Sequence, residues 1–292
     1  PGFAAALHAA APPLRPPRAS RRLGRMLAAI AAAFAAIGGI WWSLPALSVL
    51  MVALIPVDAE ERLGDRGLAS LPLVACKNDA GQAALDGLVR RLTEHTEMRL
   101  RPKAIAGQFD MRGGDKMVNA FALPGGRIVV LRGLIDEAES ADELAGILGH
   151  ELTHAIKRHG LRRLFAQAGF GILFQTILGY GYTSDTGEFF ASLSFTRAEE
   201  READAGGIEL LKQAGISTAG FAAFFKRLAA HVQGEAPALL QNHPATAERI
   251  ATVEAAASAA TSPALSPEDW NALKHICEST PRYGDAKQDG DE

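Results

Sequence analysis

The sequence predicts an α+β chain, a mainly helical domain with one small antiparallel sheet, carried behind an N-terminal transmembrane helix. Three observations predict it. Residues 26–57 contain no charged side chain. Two short apolar stretches flank Pro124-Gly125-Gly126, a β-turn sequence. Most of the remaining apolar residues recur at helical spacing behind capping residues. With 292 residues, 48% of them hydrophobic, the chain can bury a core of domain size, and wholesale disorder is excluded. A net charge of −3 gives no reason to expect nucleic acid as a partner.

Residues 1–25 form a basic tail whose only charges are Arg15, Arg18, Arg21, Arg22 and Arg25. The uncharged run 26–57 exceeds the ~20 residues that cross a bilayer core as helix, and reads as a membrane anchor. Trp41 and Trp42 could mark an interface, and Pro45 divides the run into a span of about 26–44 and a shorter apolar stretch. A cleaved signal peptide fits less well, because its apolar region is about half this length. All flanking positive charge precedes the span, so the tail is expected in the cytoplasm and the remainder outside, with lipid as a partner of the anchor.

Residues 58–77 read as a linker of Gly, Pro and mixed charge, and 78–262 as the main domain. Ala84, Leu85, Leu88 and Leu92 give the first domain helix its apolar face. The stretches 117–123 and 127–131 read as antiparallel strands. Ser140 and Glu143 have capping-box spacing and open a helix with an apolar stripe at Leu144, Ile147, Leu148 and Leu152. A second uncharged segment, 164–184, reads as a surface helix or a lid. Helices are expected over 196–213, capped by Thr196 and Glu199, and over 244–259. Residues 263–292 read as a partly disordered tail. Cys76 and Cys277, the only cysteines, could pair in an oxidising compartment or remain thiols.

The helix opened by Ser140 contains His150-Glu151-Leu152-Thr153-His154. Histidines at i and i+4 share a helix face and can reach one cation, while the glutamate between them lies beside it. There Glu151 can act as general base toward a water made acidic by zinc. A catalytic zinc takes three protein ligands. A third histidine of the kind that follows in metzincins is lacking, since Gly160 occupies its place and His159 falls one residue short. The acidic helix around Thr196–Asp204 is the alternative source. Its Glu200 and Asp204 share a face, so one could bind metal while the other orients a ligand histidine; Glu202 points away from that face.

These motifs resemble the gluzincin metallopeptidases typified by the CAAX prenyl protease, HtpX and BepA. The second motif of that family, E-x-x-A-D in outline, corresponds to Glu200–Asp204. The resemblance implies Glu200 as third zinc ligand and Asp204 as the acid that supports a ligand histidine. Asn119-Ala120-Phe121-Ala122-Leu123-Pro124-Gly125-Gly126 resembles the family's edge strand and turn. It implies substrate binding at Asn119, Ala120 and Phe121. His243-Pro244 with Arg249-Ile250 resembles an element whose His and Arg face the active site. It makes His243 and Arg249 catalytic candidates for stabilising an oxyanion.

The implied fold is a zincin-type peptidase domain with one Zn2+ per chain. The implied activity is hydrolysis of peptide bonds in protein or peptide substrates, in envelope quality control. The single anchor and its flanking arginines add the expectation of a single-pass protein of a bacterial inner membrane with its domain on the periplasmic side, whereas the prenyl protease and HtpX have several spans. The rival expectation is a non-proteolytic chaperone or assembly factor, with zinc held structurally by His243 as a fourth ligand.

Overall fold

The structure, a computed structural model, describes residues 18–97, 99–165, 191–230, 236–256, 258, 260 and 262–283. The 164–184 segment and the last residues of the tail therefore lie largely outside the described residues. Residues 1–49 and 50–292 form two compact units. Helix α1, Arg18–Leu54, begins inside the basic tail and carries the apolar window Arg22–Gly39, which has a mean hydropathy of 1.3 and no buried residue.

In the second unit the first correction concerns the expected linker. Residues 58–77 hold helix α2, Val57–Ser70, and strand β1, Leu73–Ala75. Ala59 and Leu63 bury one face of α2, a pattern that its surrounding charges obscure in the sequence. Helix α3, Asp79–Thr93, starts where Asn78 Oδ1 accepts the Gly81 N–H at 2.9 Å. Three strands follow: β2 at Lys103–Phe109, β3 at Ala120–Leu123 and β4 at Arg127–Leu131.

The sheet order is β1-β2-β4-β3. The expected hairpin is present, with β3 and β4 antiparallel and the turn glycines Gly125 and Gly126 at φ 70° and 77°. The sheet as a whole is mixed rather than antiparallel, because β2 pairs with β4 in parallel. Residues 110–126 supply the crossover length that a parallel pair needs. Alternation along β4 divides the core. Ile128 and Val130 join Ala104, Ala106, Ala120 and Ala122 in the cluster beneath α3, while Val129 and Leu131 join Phe109, Phe121 and Leu123 in a second cluster. Val52, Ile55 and Leu63 complete that second cluster, together with Leu161, Leu164, Phe165 and Leu193.

After the short helix α4, Arg132–Glu137, comes α5, Ala141–Ile156, the central helix of the domain. Ser140 Oγ caps it by accepting the Glu143 N–H, while Glu143 reaches back to the Glu139 N–H rather than to the cap. Helix α6, Arg197–Gln213, opens on a complete Thr196/Glu199 capping box, as expected. Helices α7, Ala219–Ala230, α8, Ala238–Asn242, α9, Ala247–Ala255, and α10, Pro267–Lys274, follow. Helix α9 begins at the Thr246 cap, later than the start read at Pro244. The stretch read as a tail holds α10, which lies on α3 with Leu273 and Ile276 fully buried. Immediately after it, Cys277 is disulfide-bonded to Cys76.

Candidate metal centre

Helices α5 and α6 cross closely because small residues meet where they touch. A Cβ on Gly207 would stand 3.0 Å from the His150 backbone nitrogen, and one on Gly206 would meet Thr153 Cγ2 at 2.3 Å. This approach sets His150, Glu151 and His154 of one helix opposite Glu200 and Asp204 of the other, and all five are buried.

His150 Nε2 and His154 Nε2 are 3.0 Å apart. They lie 3.5 and 3.6 Å from the Glu200 carboxylate oxygens. His243, held between α8 and α9, brings Nδ1 to 2.8 Å from Glu200 Oε1 and 3.3 Å from His150 Nε2. One donor atom from each of these four residues falls within 4.8 Å of all the others. Donors about 2 Å from a tetrahedral zinc are a little over 3 Å from one another, so the cluster fits such an ion. The donor chemistry fits too. Facing imidazole nitrogens with one carboxylate want a shared cation, and among the described residues Glu200 Oε2 and Glu151 Oε1 have no aligned hydrogen-bond donor.

The surroundings polarise the cluster. Burial pushes the Glu151 carboxyl up, against the opposing pull of His243 and His150. The backbone amide of Ala122 on β3 adds a smaller pull in the same downward direction. Burial, and then the neighbouring imidazoles, drive His154 well below the usual histidine range, so it stays neutral as a ligand must. Glu200 is raised by burial but more strongly lowered by His243, His150 and Arg249 together. Asp204 is likewise raised by burial, yet Arg249 and His150 bring it to about 2. Its Oδ1 stands 3.0 Å from His150 Nδ1, at ion-pair distance though not aligned as a hydrogen bond. Asp204, expected to support a ligand histidine, thus faces His150 on the side away from Nε2.

Arg249 is where geometry and expectation part. Its Nε and Nη2 grip both Asp204 oxygens at 2.7 Å, and its Nη1 reaches Glu200 Oε2 at 2.6 Å and the Pro244 carbonyl at 2.9 Å. All three nitrogens thus contact the carboxylates and the chain beneath the cluster, contacts that the oxyanion expectation for Arg249 did not include. His243 does lie at the centre, with Nε2 3.4 Å from Glu151 Oε1. Ala120 and Phe121 are buried on β3, an edge strand of the sheet, Asn119 is buried just before it, and Asn119 Oδ1 has no hydrogen-bond partner among the described residues. Two further residues lie here: Phe195, which the sequence signals did not single out, and His159, whose spacing set it aside as a ligand. The Phe195 ring lies tilted over the His154 ring with centroids 4.0 Å apart, and His159 is wholly buried with its ring 4.9 Å from that of His154.

The sequence model of Peptidase family M48 matches residues 80–257. Metalloprotease LoiP of Escherichia coli is 36% identical over 148 residues, covering 46% of this chain and 56% of the relative. Mitochondrial metalloendopeptidase OMA1 of Schizosaccharomyces pombe is 31% identical over 163 residues, 52% and 48% of the two chains. The beta-barrel assembly-enhancing protease of Escherichia coli is 26% identical over 231 residues, 72% and 46%. The chain thus spans about half the length of these relatives.

Proposed function

The chain belongs to peptidase family M48, and from that premise we propose that it is a membrane-anchored zinc metalloendopeptidase. The observation that carries the reading is the convergence of His150, His154 and Glu200 beside Glu151 inside the family segment. These three residues would hold one zinc per chain and leave a further position for substrate or water. When bound, the ion polarises a scissile carbonyl and acidifies a water molecule. Glu151 takes the proton as that water attacks and delivers it to the leaving amine; a carboxyl raised by burial suits the transfer. His243 Nε2, next to Glu151, is the candidate donor to the oxyanion. Arg249 and Asp204 position the ligands rather than the substrate.

An extended peptide would add to β3, with Asn119, Ala120 and Phe121 as its partners. Two features support this. β3 is the last strand of the sheet, and its Ala122 amide already reaches Glu151. The name of the beta-barrel assembly-enhancing protease supports a role in envelope quality control. The apolar window of α1 supports a single-pass inner-membrane anchor, and the Cys76–Cys277 bond supports a domain on the oxidising, periplasmic side. The test is metal analysis and casein cleavage by the full-length protein in detergent. One zinc per chain with cleavage is expected; absence of either refutes the reading.

His243 favours a second reading. As a fourth donor it would close the site, as in a structural zinc of a non-proteolytic chaperone or assembly factor. Zinc that is lost from His243→Ala as completely as from His150→Ala, in a protein that never cleaves casein, would select that reading.

A further inference from the structure

We propose that His159 is a positioning residue for the metal ligand His154, and that Glu202 fixes His159 for this task. The proposal rests on the zinc centre argued above and concerns side chains on its far side. His159 opens the helical stretch 159–165 that resumes after α5. It is placed by Arg158, the one non-glycine residue with positive φ among the described residues, at 56°. That left-handed step turns the chain so that the His159 ring lies behind the His154 ring instead of continuing along the helix.

The contacts allow one consistent assignment of protons. His154 Nε2 faces Glu200 and His150, so it must be bare to bind metal, and the ring proton belongs on Nδ1. His154 Nδ1 lies 2.9 Å from His159 Nδ1 and donates to it. A neutral His159 then carries its own proton on Nε2, which lies 3.1 Å from Glu202 Oε2 and donates there. The other Glu202 oxygen, Oε1, forms an ion pair with Lys157 Nζ at 2.9 Å. Every ring nitrogen in the chain His154–His159–Glu202 has one role. The arrangement parallels His150, whose Nδ1 faces Asp204 directly. Each ligand histidine is thus backed by a carboxylate, one directly and one through an imidazole. Partners of this kind fix ring orientation and raise ligand basicity, and their loss costs about 10–100-fold in metal affinity.

The alternative is that His159 merely fills space, and it predicts that a leucine there leaves the metal untouched. The experiment measures the zinc Kd of full-length variants by competition with a chromophoric chelator, alongside the Tm of the zinc-free protein. His159→Leu is expected to keep its zinc-free Tm within a few degrees and bind zinc at least tenfold more weakly. His159→Asn, whose side-chain oxygen can sit near the lost Nδ1 and accept from His154, should recover most of that affinity. Glu202→Ala should weaken zinc several-fold. A folded His159→Leu with zinc affinity within twofold of wild type overturns the proposal. Should that variant not fold, a Glu202→Ala protein within twofold of wild type overturns it instead. A wild-type protein that binds no zinc refutes the metal centre itself, a separate failure.

Discussion

Two imidazole nitrogens 3.0 Å apart, as in His150 and His154, repel through their lone pairs unless a proton or a cation lies between them. The neutral state that burial imposes on His154 leaves a cation as the better partner. Glu200→Ala is therefore expected to strip zinc, measured as metal content after gel filtration. Glu151→Gln should retain zinc and lose about 10²–10⁴-fold in turnover, because only the proton carrier is removed; near-wild-type cleavage of casein would sink the mechanism. Arg249 separates two kinds of legibility. His150, Glu151 and His154 could be read directly, since one helical turn fixes their relation. The role of Arg249 could not, because its partners Asp204 and Glu200 lie 45 or more positions away in sequence and their distances appear only on folding. Arg249→Lys cannot reproduce the grip on Asp204, and is expected to lower the Tm of the zinc-free protein and weaken zinc together. His159 escaped for a related reason: spacing tests whether a residue can ligate, not whether it stands behind a ligand.

At the scale of elements, the site depends on how near α5 and α6 approach. An added methyl at Gly207 would have to displace the His150 backbone by a few tenths of an ångström, on the helix that carries both ligand histidines. Gly207→Ala is expected to weaken zinc about tenfold while changing stability little, since better helix propensity, about 1 kcal/mol, offsets the crowding. Gly87→Ala in α3, where among the described residues a Cβ meets only Arg90 Nη2 at 3.8 Å, is the control and should raise the Tm slightly. Equal zinc affinities in both variants would show that the helix separation does not set the site. The helices were legible because apolar spacing and caps agree at Asn78, Ser140 and Thr196. Strand β2 was missed because it is paired on both sides and covered on both faces, so KAIAGQF shows no alternation of apolar and polar residues. Helix α2 was missed because its acidic residues find distant arginines only after folding. Asp65 joins Arg127 at 2.6 Å, and Glu60 binds Arg158 beneath the Val52 and Ile55 carbonyls.

On the scale of the whole molecule, one covalent bond joins the two ends of the folded domain. Cys76 follows β1 and Cys277 follows α10, 201 positions apart. Nothing local in the sequence could predict this pairing, since no periodicity spans such a distance, and the two thiols stood as alternatives until the fold brought their Cα atoms to 4.6 Å. Closing so long a loop removes conformational freedom chiefly from the unfolded chain, worth about 5 kcal/mol as an upper value and about 2–4 kcal/mol typically. The bond holds α10 against α3, where Arg91 also binds the Ala214, Pro263 and Ala264 carbonyls. Its loss should therefore loosen the C-terminal segment before the zinc cluster. For a domain of this size about 1 kcal/mol corresponds to roughly 2–4 °C, so reduction is expected to lower the Tm by about 5–10 °C with zinc still bound. The double variant Cys76→Ser/Cys277→Ser should show the lowered Tm from the start and ignore reductant. In intact cells the wild-type thiols should resist alkylation until a reductant is added, as an oxidising compartment requires. Thiols freely alkylated in folded, zinc-loaded protein would remove the disulfide and, with it, one of the two supports for a periplasmic domain.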